Sequence, residues 1–428
     1  MCDTFVVLPP NTESGDVLLA KISDMDVNVG YGLKSLPRKY HAQGELLRTT
    51  HICIPQVETT YEILTCGYDF VWGVEMGLNE YGLAIGDEAQ NTKEMLSEKR
   101  DGIISMDFNR IALERARNCR EAISIITSLL EEYGQGGNCS LYGNFHMDGS
   151  YLMADPNEAW ILQTAGRKWS AKQVKGFDSL SNCLRSTKGW EMSSEDQLEM
   201  VTLNQDRAFL FGQPRQGITY SHVESAIKPF RLQNAFDLLR YHNENFDVEN
   251  QPDYPGYICL HGFAARNGSS IGGNSAWVGQ LNSEDGNIGW CTVTAGTCLS
   301  IFKPVYPGVA LPDVVGPMPS SVFDPNTLWW RHELLHRRVL ADFNKLMPVI
   351  RKDFDKIEAE FLEEAPRYRK SNVDQKRKYT EYCFSKAQQA ENAWIAELTG
   401  RSFSFQNPRY GEYWKRYNQE AGIKGMPT

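Results

Sequence analysis

A chain of 428 residues with 41% hydrophobic and 23% charged residues has the composition of an ordinary globular protein with enough material for an extensive core. A net charge of −10 disfavours nonspecific binding to nucleic acid or to an anionic membrane. No window approaches the roughly 18 apolar residues that a membrane-spanning helix needs.

The first apolar run, Cys2-Asp3-Thr4-Phe5-Val6-Val7, reads as a strand, and its opening residue follows Met1 directly. Removal of Met1 would give one residue both a thiol and a free α-amine. The amine, with an unperturbed pKa of about 7.7 to 8.0, can take the proton of a thiol near 8.5. A cysteine at position two has no function by itself, so this reading needs support from elsewhere in the chain. Phe5 to Leu8 is followed at once by Pro9-Pro10, which predicts no signal peptide. Ten cysteines are scattered without a C-x-x-C pair, so reduced thiols in a cytoplasmic protein are expected.

Further strands are predicted at Asp16 to Ala20, His51 to Val57 and Val71 to Asp87, the last with a turn at Asn79-Glu80-Tyr81-Gly82. From Ser105 to Glu132 the apolar period becomes helical, giving two amphipathic helices. Tyr133-Gly134-Gln135-Gly136-Gly137-Asn138 reads as a turn that ends a helix, because no Lys-Ser/Thr follows to make a phosphate loop. Asp155-Pro156-Asn157-Glu158 predicts a hairpin between Tyr151–Ala154 and Ala159–Leu162. Helices are expected between Ser194 and Tyr241, and strands at Tyr257 to Leu260, Ser275 to Leu281 and Trp290 to Thr294. Beyond the proline-rich stretch 304 to 319 the pattern is charged and helical, from Asn326 to about Leu362 and from Asp374 to Leu398. The pattern predicts an α+β layered core over 2–320 and a helical C-terminal extension over 321–428 packed on it.

Several segments together are similar to the N-terminal-nucleophile dipeptidases that include bacterial dipeptidase A, and within them look most like the secernins. They are Cys2 to Pro10, Trp72 to Gly82, Tyr133 to Cys139, Glu158 to Arg167, Ser181-Asn182 and Leu328 to Glu333. The resemblance implies an αββα four-layer sandwich and a cysteine-type hydrolase acting on amide bonds of dipeptides or short peptides through an acyl-thioester. It implies Cys2 as nucleophile, Lys21 and Asp24 as its positioning groups, and Asn182 as an oxyanion donor. Ile22 stands where the wider pattern, shared with bile salt hydrolases and penicillin V acylases, has Asn. Asp87-Glu88 occupies the place of an Asn-Glu pair whose backbone N–H would complete the oxyanion hole. His261, followed by Arg266, is expected beside the substrate. No cofactor and no metal are implied, the partner is a short peptide or acyl-amide substrate, and self-association is left open.

Three other readings stand beside this one. One is a non-peptide amidase or acylase with the same machinery, and another is a non-hydrolytic, secernin-like regulatory protein. The third arises from His332-Glu333-Leu334-Leu335-His336, which spells the H-E-x-x-H zinc helix and could take Glu358 or Glu360 as a further ligand. The alternative for that helix is a packed amphipathic one with its histidines outside.

Overall fold

The structure, a computed structural model, describes residues 2–90, 92, 101–184, 189–194, 212–251, 256–264 and 270–427. Arg266 and part of the helical stretch expected after Ser194 lie outside these residues.

The first strands are β1 (Cys2–Val7), β2 (Val17–Met25) and β3 (Gly32–Leu36), followed by four short ones, β4 (Lys39–Tyr40), β5 (Leu46–Arg48), β6 (Cys53–Pro55) and β7 (Thr59–Thr60). Then come β8 (Ile63–Gly67), β9 (Met76–Asn79), β10 (Ala84–Gln90), β11 (Asp148–Ala154), β12 (Ala159–Ala165), β13 (Lys168–Gln173), β14 (Phe177–Ser181) and β15 (Met192–Ser193). The last are β16 (Phe263–Ala264), β17 (Ser270–Leu281), β18 (Ile288–Cys291) and β19 (Lys303–Val305). One sheet runs β14-β1-β2-β17-β18-β19, with β16 added on β17, and the other runs β15-β13-β12-β11-β10-β9-β8-β3. Every ladder within the two sheets is antiparallel.

Successive strand residues point to opposite faces, and the cores follow that alternation. Val6, Leu19, Leu64, Met76, Ala84 and Leu152 fill the space between the two sheets. Ile85, Tyr151, Met153 and Leu162 turn the other way, onto α1 (Ser105–Arg115) and α2 (Cys119–Tyr133). On the far side of the first sheet, Phe5, Val7, Leu18, Ala20 and Ile22 pack against α3 (Gln213–Ala226) and α4 (Leu232–Leu239). The same core takes in α5 (Leu328–Val339) and α6 (Phe343–Glu364). The order of layers is therefore helix, sheet, sheet, helix, as expected. Two more helices, α7 (Val373–Leu398) and α8 (Pro408–Ala421), complete the C-terminal part. Fully burying a side chain such as Phe5 or Val7 is worth about 1.5 to 3 kcal/mol, so the alternation specifies which face of β1 meets which layer.

Local signals account for the ends of several elements. The Asn118 side chain caps α2 by accepting from the Glu121 N–H, and Gly134 ends the same helix at a φ of +75°. Thr327 caps α5 by accepting from the Trp330 N–H.

Two expectations are corrected. Tyr257 to Leu260 is not a strand: the N–H groups of Ile258 and Cys259 both reach the Tyr241 carbonyl, so this apolar run is buried as a loop. His332 and His336 are not on the outside of α5 but are 0% and 3% exposed.

Candidate active site

Alternation along β1 turns Cys2, Thr4 and Val6 toward the second sheet, and Asp3, Phe5 and Val7 toward the helices. Cys2 is 8% exposed and lies on the wall of a cavity of about 960 Å³, where Asp24, Tyr68, Glu75 and Asn182 also line the surface. Its nitrogen donates to Asn182 Oδ1 at 2.9 Å, and its carbonyl accepts from Ser181 Oγ at 3.0 Å. The sulfur lies 3.6 Å from Ser23 Oγ and accepts from the Asp24 N–H at 3.5 Å. Burial pushes the thiol up to about 12, against the pull of the Lys21 ammonium. At neutral pH it therefore holds its proton until a base removes it.

Lys21 and Ser23 share the inner face of β2. The Lys21 ammonium donates to the Asp87 carbonyl and sits 3.4 Å from Glu88 and 3.6 Å from Glu75. At an effective dielectric of about 20, each of these pairs is worth roughly 5 kcal/mol of attraction, set against several kcal/mol of desolvation per buried ion. Glu75 also accepts from Tyr68 Oη at 2.6 Å and from Ser23 Oγ at 3.2 Å. One network thus runs from Lys21 through Glu75 to Ser23 beside the sulfur. Glu88 accepts from Thr4 Oγ1, and burial raises its carboxyl to about 7 although Lys21 opposes this.

The outer face of the same strands carries a second network. Asp3 and Asp24 both pair with the Arg215 guanidinium on α3, Asp24 at 2.7 Å, and all three are buried. Burial raises Asp24 to about 6 despite Arg215. Opposite Asp24 and Ser23 the register of β17 shifts between Gly273 and Ser275, an irregularity of the kind that re-aims side chains next to sites.

The structure places Cys2, Lys21, Asp24 and Asn182 close together. The remaining site residues are placed differently. The Asp87 carboxyl points away from the thiol, to Ser105 and Asn109 on α1, because β10 alternates like every strand. Its backbone N–H reaches the Glu75 carbonyl at 3.4 Å, so it is not directed at an oxyanion. Glu88 is fully buried between the sheets beside Lys21 and is not a cavity-wall residue. His261 is also fully buried and away from the cavity wall, with its ring nitrogens near His242 and His336. Asn182 uses its oxygen on the Cys2 nitrogen and gives one Nδ2 hydrogen to the Ala89 carbonyl at 2.9 Å. An NH₂ group carries two hydrogens, so a second remains for a substrate oxygen.

The zinc-helix residues do not form the expected set. His332 pairs with Glu391 at 3.0 Å, and His336 pairs with Glu333 at 2.7 Å. Glu358 is taken by Arg240 and the Phe302 N–H, and Glu360 by Tyr382 and Lys386. Burial of the helix against α7 and the cluster around His261 accounts for the paired histidines.

Sequence reasoning missed Arg215, Glu75, Tyr68 and Ser23. Arg215 had a readable signal: a cation in the first turn of a helix opposes the helix dipole, which suggests a fixed partner. Ser23 and Glu75 had none, because only the register of β2 and the turn before β9 set them beside the sulfur and Lys21.

The family model for acyl-coenzyme A:6-aminopenicillanic acid acyl-transferase matches residues 47–146. A dipeptidase from Bifidobacterium longum (strain NCC 2705) is 27% identical over 205 residues, covering 42% of this chain and 34% of that protein. The chain thus matches about a third of that relative's length. Among solved structures, a mutant conjugated bile acid hydrolase from Clostridium perfringens aligns with a TM-score of 0.42 at 14% identity, over 68% of this chain and 88% of the other. Penicillin V acylase from Agrobacterium tumefaciens aligns with a TM-score of 0.42 at 13% identity, over 71% and 86%. Two antiparallel sheets enclosed by helical layers, with the Cys2 strand inside one of them, make this an α+β four-layer fold. The chain is thus similar to that acyl-transferase family over residues 47–146 and to that dipeptidase over 205 residues. Among the described residues, no helix is long and apolar enough to cross a membrane.

Proposed function

We propose that this protein is a cysteine-type N-terminal-nucleophile hydrolase that cleaves an amide bond in dipeptides or other short peptides. One observation carries the reading: Cys2 and Asn182 both line the cavity, and the Cys2 nitrogen lies 2.9 Å from Asn182 Oδ1. In the proposed reaction, removal of Met1 frees the α-amine. The amine takes the thiol proton, and the thiolate attacks the scissile carbonyl. The free Nδ2 hydrogen of Asn182 stabilises the oxyanion, a donor worth about 2.7 to 4 kcal/mol. The ammonium then protonates the leaving amine as the C–N bond breaks and the thioester forms. Water, activated by the same amine, releases the acid and restores the thiol. Lys21 and the Arg215–Asp24 pair position the end group and do not touch substrate.

Of the departures from the family pattern, Ile22 turns its side chain into the core on the helix side of β2, and Asp87 lines the cavity but has its carboxylate bonded to Ser105 and Asn109. This favours a working site over a non-hydrolytic regulatory role, whichever branch of the family, secernin or other, the chain joins. Among the described lining residues, Asp26 and Glu420 add carboxylates to the cavity wall and Arg416 is the single cation, which suits a substrate with a free amino group more than an anionic acyl amide. Ten free cysteines, nine of them buried, suit a reducing, cytoplasmic setting.

The test is steady-state hydrolysis of a dipeptide panel and an acyl-amide panel by three proteins. They are the mature chain, Cys2→Ala, and a variant with one alanine inserted between Met1 and Cys2. Activity on dipeptides by the first alone is expected. Equal turnover by all three would overturn the reading, and turnover only of acyl amides would move it to an acylase.

A further inference from the structure

Between α4, α5 and the loops around β17 and β18 lies a cluster that the proposed hydrolysis does not use. His242, Cys259, His261 and Cys298 each direct one ligand atom to a common point, and these four atoms all lie within 4.8 Å of one another. Three of the four residues are buried, and His242 is half-buried. The residues come from separate parts of the chain: His242 just past α4, Cys259 and His261 on the loop before β16, and Cys298 in the short 3-10 helix Thr297–Leu299 after β18.

Four groups able to ligate a metal crowd this point, and a hydrogen-bond relay orients one of them. Glu333 is paired with the Arg337 guanidinium at 2.5 Å, and so it accepts the Nδ1 hydrogen of His336 at 2.7 Å. His336 Nε2 is then a lone pair that accepts from His261 Nδ1 at 3.0 Å. That relay fixes the His261 tautomer and leaves its Nε2 as a bare lone pair. Three groups converge on this one lone pair: His242 Nε2 at 3.1 Å, Cys298 Sγ at 3.3 Å and Cys259 Sγ at 3.6 Å. One lone pair accepts one hydrogen, so at most one of the three donates to it, and Cys259 also hydrogen-bonds Cys298 and His242. All four groups can serve as ligands.

We infer that His242, Cys259, His261 and Cys298 form a structural zinc site of the Cys₂His₂ type. Zinc bonds of about 2.0 to 2.1 Å to nitrogen and 2.3 Å to sulfur place tetrahedral ligand atoms roughly 3.3 Å (N–N), 3.6 Å (N–S) and 3.8 Å (S–S) apart. The three measured separations to His261 Nε2 fall at or close to those values. All four positions are filled by protein, which leaves no open site for a catalytic water and makes the site structural. The His261 to His336 to Glu333 relay is the outer support that ligating histidines use to fix ring orientation, and Phe246, Tyr257 and Phe343 surround the rings with apolar surface. The site is distinct from the H-E-x-x-H reading, since neither His332 nor His336 is a ligand. It also ties down the loop whose Ile258 carbonyl accepts from Arg215 Nη2 at 3.3 Å, so zinc would fasten the residue that holds Asp3 and Asp24.

The test measures metal content of protein purified without added metal and kept reduced, together with a cobalt titration after chelation. One zinc per chain is expected, retained in Cys2→Ala and lost in Cys259→Ser and in Cys298→Ser. Cobalt should give visible d–d bands of a tetrahedral site with a sulfur-to-metal charge-transfer band. If the serine variants fail to fold, His336→Gln is used instead, which spares all four ligands and should weaken zinc by about 10- to 100-fold. A reduced, folded protein that takes up neither zinc nor cobalt overturns the inference. So does a Cys259–Cys298 disulfide in protein purified anaerobically, and so does cobalt bound without sulfur ligation.

Discussion

Replacing Arg215 with Met tests how the catalytic end of β1 and β2 is held. The substitution removes the cation shared by Asp3 and Asp24 and leaves two carboxylates, both essentially out of water, without that counter-charge. Breaking a buried pair from one side costs about 3 to 5 kcal/mol at neutral pH. The loss must also depend on pH. Asp24 is already raised from 3.8 to about 6 with Arg215 in place. A carboxyl raised on folding binds protons more readily in the folded than in the unfolded state, so its contribution to stability falls as pH rises through that window. Without the guanidinium the folded-state values rise further, and the window extends above 6. One extra proton bound across two pH units changes stability by up to about 3 kcal/mol. Urea unfolding followed by tryptophan fluorescence should therefore show a loss of about 3 to 5 kcal/mol at pH 7.5 and a clearly smaller one at pH 5.5. Asp24→Asn combined with Arg215→Met should recover part of the loss at pH 7.5. A cost under about 1 kcal/mol at pH 7.5, or the same cost at both pH values, would refute this account of the cluster.

Three further outcomes follow from the geometry. Asn182→Asp keeps an acceptor for the Cys2 nitrogen but removes the amide donor, so kcat should fall by about 10² to 10³ while KM changes little; an unchanged kcat removes Asn182 from the oxyanion. Glu88 is raised from 4.5 to about 7, so its contribution to stability falls by about 3 kcal/mol as pH rises through that interval. Denaturation of Glu88→Gln over the same range should give a flatter profile than the parent, and parallel profiles contradict the assignment. Gly86→Ala puts a Cβ 2.7 Å from Lys21 Cδ and 3.2 Å from Thr4 Oγ1. The Lys21 side chain cannot move aside because its ammonium is fixed among Asp87, Glu88 and Glu75, so a cost of about 1 to 3 kcal/mol and a drop in turnover are expected. Wild-type stability in this variant would show that Lys21 is not pinned.

Periodicity made much of the fold legible. The α1–α2 pair, the β11–β12 hairpin, the β9–β10 turn and the C-terminal helices through α7 follow from apolar spacing and turn residues. Short strands such as β3, β8 and β14 did not stand out, since five residues are too few for a periodic signal. The helix α8 was missed because its buried stripe, Tyr410, Gly411, Trp414, Asn418 and Ala421, holds no large aliphatic residue. Tyr257 to Leu260 misled because a short apolar run reads the same in a buried loop as in a strand. In the candidate site, Cys2 was singled out by its place after Met1, but Asp24 and Asn182 were legible only through family likeness, since an aspartate and an asparagine far apart in sequence carry no joint local pattern. Asp87 shows the complementary limit. Its place in the motif was readable, but one residue of strand register decided that its carboxyl faces α1 instead of the thiol. The four residues around His261 were equally hidden, because their spacing of 17, 2 and 37 residues matches no compact metal motif.

The central claim is that Cys2, freed of Met1, attacks through sulfur while its own nitrogen moves the proton. Intact-mass spectrometry of the purified protein, acid-quenched during turnover of a slow peptide substrate, tests it most directly. The account predicts a chain lighter by one methionine and a single acyl adduct that peptide mapping assigns to Cys2. A chain that keeps Met1 and still turns over substrate, or an adduct on any other residue, contradicts it.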